Sequence, residues 1–280
     1  MPLPERLSQV VSLNLIGLVL YLIIDLPVQK LNVTILDSSV IVAVSLQFLV
    51  VFVLGGLAFV GVGVVLDTPS GQWLRDIHPF WINPTLLVIL AALTLVYFGS
   101  VFYWVSGLFI AGVLLWLSLW AAYHQAAVLQ RLRYRSQQDM DPKTVDRLHR
   151  AGRWSEWLGY ALFLGYSLLI FQSDFSVLIR LISLAFLAFF FAQTIFHTPD
   201  GIPRRILVYA TTVGWIVAQL VLIFSLLHLG SLAQGLLTGL SFYLSCGLPL
   251  TYLRGTLSRA VVIEYSVIGF AGSLLILLIT

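Results

Sequence analysis

The sequence predicts an all-α, polytopic transmembrane helix bundle, and three observations support this fold class. Hydrophobic residues make up 60% of the chain and charged residues only 10%, whereas roughly a quarter of the residues in a soluble domain are charged. The apolar residues form continuous runs that are long enough to cross a hydrocarbon core of about 30 Å as helices. Most of the basic residues lie in every second connection between these runs, as expected for a chain that crosses a membrane repeatedly.

Nine apolar segments predict nine membrane-spanning helices. Gly99-Ser100 and Gly230-Ser231 each interrupt a run that is too long for one crossing, so each pair predicts a tight turn. The predicted spans are about 9–26, 39–66, 80–98, 101–127, 155–172, 175–196, 206–228, 231–252 and 260–280.

Lys and Arg residues predict the orientation of the chain. With a cytoplasmic N-terminus and the C-terminus outside, all of the 15 Lys and Arg residues except Lys30 and Arg180 fall on the cytoplasmic side. This positive-inside pattern predicts a multi-pass protein of the bacterial cytoplasmic (inner) membrane, whose anionic inner leaflet attracts the basic loops. The expected partners are that lipid bilayer and another membrane protein, and no nucleic acid is expected.

Two similar loops predict an internal repeat. The loop "VLDTPSGQWLRD" (65–76) resembles "IFHTPDGIPRR" (195–205), and both have Thr-Pro-x-Gly followed by arginine between two apolar runs. We expect two parallel four-helix halves and a ninth helix, although short matches of this kind also arise by chance. The predicted domains are a first half (1–128), a basic cytoplasmic connector with an amphipathic segment (129–154), a second half (155–253) and the ninth helix (254–280).

The polar residues near the cytoplasmic side give two interpretations. The Thr-Pro-x-Gly loops have the composition of interfacial turns, with proline and glycine at favoured turn positions. Alternatively, the two loops and the nearby helix ends form a polar cluster. Its candidate members are Asp67, Asp76, His78, His124, His197 and Asp200. Two histidines from different helices could ligate a haem, but interfacial histidines are commoner, so neither a metal nor a cofactor is predicted.

Within the predicted spans, the polar and small residues favour helix packing. Gln47 and Gln219 lie at mid-membrane positions and are expected to form interhelical hydrogen bonds. Ser231, Gly235 and Gly239 recur every four residues, which is a small-residue face that permits close helix approach.

Two family resemblances bear on function. The segment "ERLSQVVSLNLIGLVLYL" and the helix pattern resemble an uncharacterised bacterial multi-span family of unknown function, which implies no activity. Nine helices with polar cytoplasmic loops after spans 2 and 6 also resemble the layout of the intramembrane prenyltransferases. That resemblance implies aspartate-rich loops that hold magnesium and a diphosphate, but this chain offers only Asp67 and Asp76 in the first loop and Asp200 in the second.

These features favour a non-catalytic membrane protein that serves as an accessory or scaffold component of a membrane assembly. One alternative is a carrier or flippase for a neutral or lipid-like substrate, with a site near Gln47 and Gln219. A second alternative is a lipid-modifying enzyme that uses Asp67, Asp200 and His197 in the cytoplasmic leaflet.

Overall fold

The computed structural model describes residues 3–24, 28–35, 38–66, 80–97, 101–134, 142–197, 203–227 and 229–279. These residues form nine helices and one two-stranded hairpin. The helices are α1 (Leu3–Ile23), α2 (Leu46–Leu66), α3 (Ile82–Tyr97), α4 (Val101–Tyr134), α5 (Pro142–Gln172), α6 (Val177–Phe196), α7 (Pro203–Leu226), α8 (Ser231–Leu253) and α9 (Arg259–Ile279). The strands are β1 (Val28–Ile35) and β2 (Ser38–Ser45). The predicted helical membrane fold is therefore confirmed.

Seven of the described helices are long and apolar enough to cross a membrane: α1, α2, α4, α6, α7, α8 and α9. The helix α3 is apolar but has only 16 residues, which extend about 24 Å. The helix α5 has 31 residues, and its first half carries most of its charged residues. The chain is thus a multi-pass membrane protein, and the crossings by α3 and α5, the orientation and the repeat stay predictions.

The hairpin corrects the predicted start of the second span. Residues 38–45 pair antiparallel with residues 28–35, with Val28 opposite Ser45, so α2 begins at Leu46 and not at 39. The segment "SSVIVAVS" is apolar but rich in β-branched side chains, which favour strands. A short apolar run does not distinguish a strand from a helix by hydrophobicity alone, so the sequence analysis missed the hairpin.

The connector also differs from its predicted form. The helix α5 begins at Pro142, within the predicted connector, and continues without a break to Gln172. The only glycine near the predicted boundary is Gly152, which α5 accommodates within its helical turns. An isolated glycine lowers helix stability by only about 1 kcal/mol, so it did not separate an amphipathic segment from the next span.

The chain forms two compact units, residues Met1–Tyr123 and His124–Thr280. In the first unit α2 packs against α1 and α3. The side chains of Val10 and Leu54 contact the glycines of the opposing helix, Gly61 and Gly17. These glycines allow α1 and α2 to approach closely.

In the second unit, α5, α6, α7 and α8 pack in sequence, and α8 also packs against α5. The core includes Phe163, which stacks on Phe242 at a centroid distance of 4.0 Å and meets Phe191 edge-on at 6.3 Å. The ninth helix, α9, packs on α8 and has no buried residue. The helix α7 lies against α6 and α8 and therefore has one packed side and one open side.

Candidate functional site

The predicted cytoplasmic cluster falls mainly outside the described residues. The members outside are Asp67, Asp76, His78 and Asp200. His124 is partly exposed near the C-terminal end of α4. His197 caps the C-terminus of α6, and its backbone N–H donates to the Thr194 carbonyl at 3.4 Å. Whether these groups converge stays a prediction.

The two glutamines lie in different settings. Gln47 is the second residue of α2 and lies in the first turn of the helix, because the strand β2 takes up the residues before it. Gln219 lies in α7 and is exposed. Within the described residues, the side-chain amide of Gln219 makes no hydrogen bond.

The small residues of α8 lie partly at a helix contact. Gly235 and Gly239 face α5, where a Cβ on either glycine would collide with Leu168 or Leu164. The Ser167 hydroxyl lies 2.9 Å from the Gly235 carbonyl oxygen and can donate to it across this contact. Ser231 is exposed at the N-terminus of α8 and is not part of the packed face.

An ion pair and three tyrosines join α5, α8 and α9. The Arg254 guanidinium pairs with the Glu156 carboxylate, whose side chain is 17% exposed. Deeper in the unit, the Tyr243 ring lies 5.1 Å from the ring of Tyr160 and 5.7 Å from that of Tyr265. Tyr265 fits against Gly247, where any Cβ would overlap its ring.

The sequence analysis missed this group because its members are distant in the chain. Glu156 and Arg254 are 98 residues apart, and no local spacing pairs them. The only available signal was that each charge lies near the same predicted end of its helix. Among the described residues, no group of three or more His, Cys, Asp and Glu side chains is placed to hold a metal ion. The observed contacts of the tyrosines and the ion pair hold α8 against α5 and α9 against α8.

The open side of α7 combines apolar and polar groups. We define the α7 face as one stripe of exposed residues along the helix, namely Val208, Thr212, Trp215, Gln219, Leu222 and Leu226. Trp215 is 68% exposed, and the Thr212 hydroxyl donates to the Val208 carbonyl at 2.9 Å. Gln219 is thus the polar side chain of this face whose hydrogen-bonding groups remain unsatisfied within the described residues.

Gln219 lies close to the middle of a membrane-crossing helix. With a rise of about 1.5 Å per residue, Gln219 is about 7 Å from the midpoint of α7 along the helix axis. The opposite side of α7 is packed, since Ala210, Val213 and Val217 are at most 1% exposed. A rotation of α7 that buried Gln219 would expose these three apolar residues and break their contacts with the neighbouring helices.

Seven of the described helices are long and apolar enough to cross a membrane, and they define a multi-pass helical membrane protein. Residues 26–279 match the family described as a protein of unknown function (DUF5656), and the chain belongs to this family. The predicted resemblance to a family of unknown function is confirmed at that level. No curated protein and no solved structure matches the chain.

Proposed function

We propose that this protein is an accessory component of a membrane assembly in the bacterial cytoplasmic membrane, and that it binds its partner laterally through the α7 face. The observation that carries this proposal is the exposed, unsatisfied amide of Gln219 near the middle of α7. Apolar exposure alone would indicate contact with lipid, so the argument depends on this one polar group.

Hydrocarbon cannot satisfy the amide of Gln219. Placing an amide in an apolar medium without hydrogen bonds costs roughly 4–8 kcal/mol, because alkyl chains neither donate nor accept. The Gln219 side chain has only two methylene groups before its amide, which is too short to reach an interface about 10 Å away, at the nearer end of α7. A polar group on another transmembrane helix satisfies it at the same depth, which is how polar side chains hold helices together in membranes.

The carrier alternative receives less support from the same residues. It requires Gln47 at a mid-membrane position, but Gln47 lies in the first turn of α2. The alternative of a lipid-modifying enzyme relies on Asp67 and Asp200, which lie outside the described residues. A lateral protein contact accounts for Gln219 without invoking either site.

Photo-crosslinking in native membranes tests the proposal. A photoreactive amino acid replaces Leu222, one turn from Gln219, and in a matched variant it replaces Phe270, which is 76% exposed on α9. We expect a protein adduct from position 222 that Gln219→Leu abolishes, and only lipid adducts from position 270. Lipid adducts alone from both positions would contradict the proposal.

A further inference from the structure

We infer that the partner of the α7 face is a second copy of this chain, related by a twofold axis along the membrane normal. This inference rests on the proposed lateral contact and names its occupant. It is carried by the chemistry of Gln219, and the spacing of the α7 face and the lack of charge in that face from Val208 to Leu226 are compatible with it.

The amide of Gln219 is complementary to itself. It has two N–H donors and one carbonyl acceptor, so two facing amides can each donate to the other. A charged side chain would instead require an opposite charge on a different surface. A twofold contact brings the same residue of both copies together, and a self-complementary group near the axis is what such a contact needs.

The spacing of the α7 face fits a parallel helix pair. Its residues 208, 212, 215, 219, 222 and 226 alternate between intervals of four and three, which is the core spacing of a left-handed helix pair. A twofold axis along the membrane normal keeps both α7 helices parallel, with equal positions opposite each other. Gln219 of one copy therefore faces Gln219 of the other at the same depth.

The neighbours of Gln219 make it the determinant of register. Leu222 and Leu226 are apolar, and the Thr212 hydroxyl is already bound to the carbonyl of Val208. One polar residue in an otherwise apolar helix contact fixes alignment, because any shifted pairing leaves its hydrogen-bonding groups unsatisfied. A shift of the two α7 helices by one turn would place each Gln219 amide opposite leucine or tryptophan.

Association of two differently tagged copies tests the inference. The full-length chains are reconstituted together in vesicles of neutral lipid, and energy transfer between fluorescent labels on the two tags is measured as the protein-to-lipid ratio falls. We expect Gln219→Leu to weaken self-association about tenfold and Gln219→Asn, which retains the amide, to weaken it less. The matched control is Ser266→Ala on α9, an exposed change whose hydroxyl bonds only to its own helix at 2.8 Å, and it should leave association unchanged.

The outcomes separate this inference from the proposed function. Unchanged self-association of Gln219→Leu, with an unchanged thermal midpoint showing that the variant folds, would overturn the inference. If the adduct from position 222 contains a different protein, the lateral contact stands and the second copy is wrong. If that adduct contains only lipid, or is a crosslink within a single copy of the chain, both are wrong.

Discussion

The helices α7 and α9 both expose a long apolar surface, yet of the two only α7 has a side-chain amide near its middle. We define the α9 face as its exposed residues Ile263, Val267, Phe270, Leu274 and Leu277, which have the same alternating spacing as the α7 face. Spacing and exposure therefore do not distinguish a protein contact from a lipid contact in this molecule. The position of the polar groups along each helix is what distinguishes the two surfaces.

The charged groups of α9 lie where they need no partner. Arg259 begins the helix and Glu264 follows within about 8 Å along the axis, so both are near the interface. Long charged side chains near a helix end can extend toward water, whereas Gln219 is too short to leave the middle of α7. Under the proposed function, α9 presents a lipid surface and α7 presents the protein contact.

The two helices also differ in how they are held. The helix α7 buries a full row of apolar residues, whereas α9 buries none and rests on α8 through close contacts at glycines. Gly247 faces Tyr265, Gly269 faces Leu244, and Gly272 faces Leu240. The attachment of α9 is therefore more sensitive to single substitutions than that of α7.

The largest effect is expected for Gly247→Leu. The new side chain would overlap the Tyr265 ring and push α9 away from α8, which should lower the free energy of unfolding by about 1–3 kcal/mol. Unfolding in detergent with increasing SDS measures this loss. Gly56→Leu is the matched control, because a Cβ at Gly56 has no atom within 4 Å.

The same variant, Gly247→Leu, tests whether α9 takes part in self-association. Self-association through Gln219 should persist in Gly247→Leu, since α7 does not depend on α9 for its packing. Gly247→Ala gives a milder version if the leucine variant does not fold. Loss of self-association in a folded Gly247 variant would show that α9 takes part in the contact and would remove the distinction between the two helices.

A smaller effect is expected when a central amide is moved to α9. Phe270 lies next to the middle of α9 and is 76% exposed, so Phe270→Gln reproduces the setting of Gln219. Combined with Gln219→Leu, it should strengthen self-association by up to about eightfold over Gln219→Leu alone, because two facing amides form two interhelical hydrogen bonds of about 0.6 kcal/mol each. If energy transfer in the double variant stays at the level of Gln219→Leu alone, an amide is not sufficient for self-association, and other residues of α7 are also needed.

Most helices were predictable from the sequence because continuous apolar runs report their length directly. The boundary at Gly230-Ser231 was also predictable, since α8 begins at Ser231. The hairpin was not, because its strand β2 leads directly into the apolar run of α2 and is itself apolar at five of its eight positions.

The candidate contact was predictable only in part. Gln219 was recognised as a polar residue in the middle of a span, but its direction was not, because α7 is apolar on both its packed and its open side. Periodicity reveals the buried side of a helix only where the other side is polar, which is the rule in water and not in lipid. Which side of α7 is open, and therefore whether Gln219 is exposed, depends on the helices that pack against Ala210, Val213 and Val217.

Disulfide formation between copies tests the central claim most directly. Leu222→Cys is introduced together with Cys246→Ala, which removes the single native cysteine, and the membranes are treated with a mild oxidant. Facing cysteines form a disulfide when their Cα atoms are about 4.4–6.8 Å apart, so the account predicts a crosslinked dimer at position 222 and none for Phe270→Cys. Equal crosslinking at both positions, or none at position 222, would contradict a contact through α7.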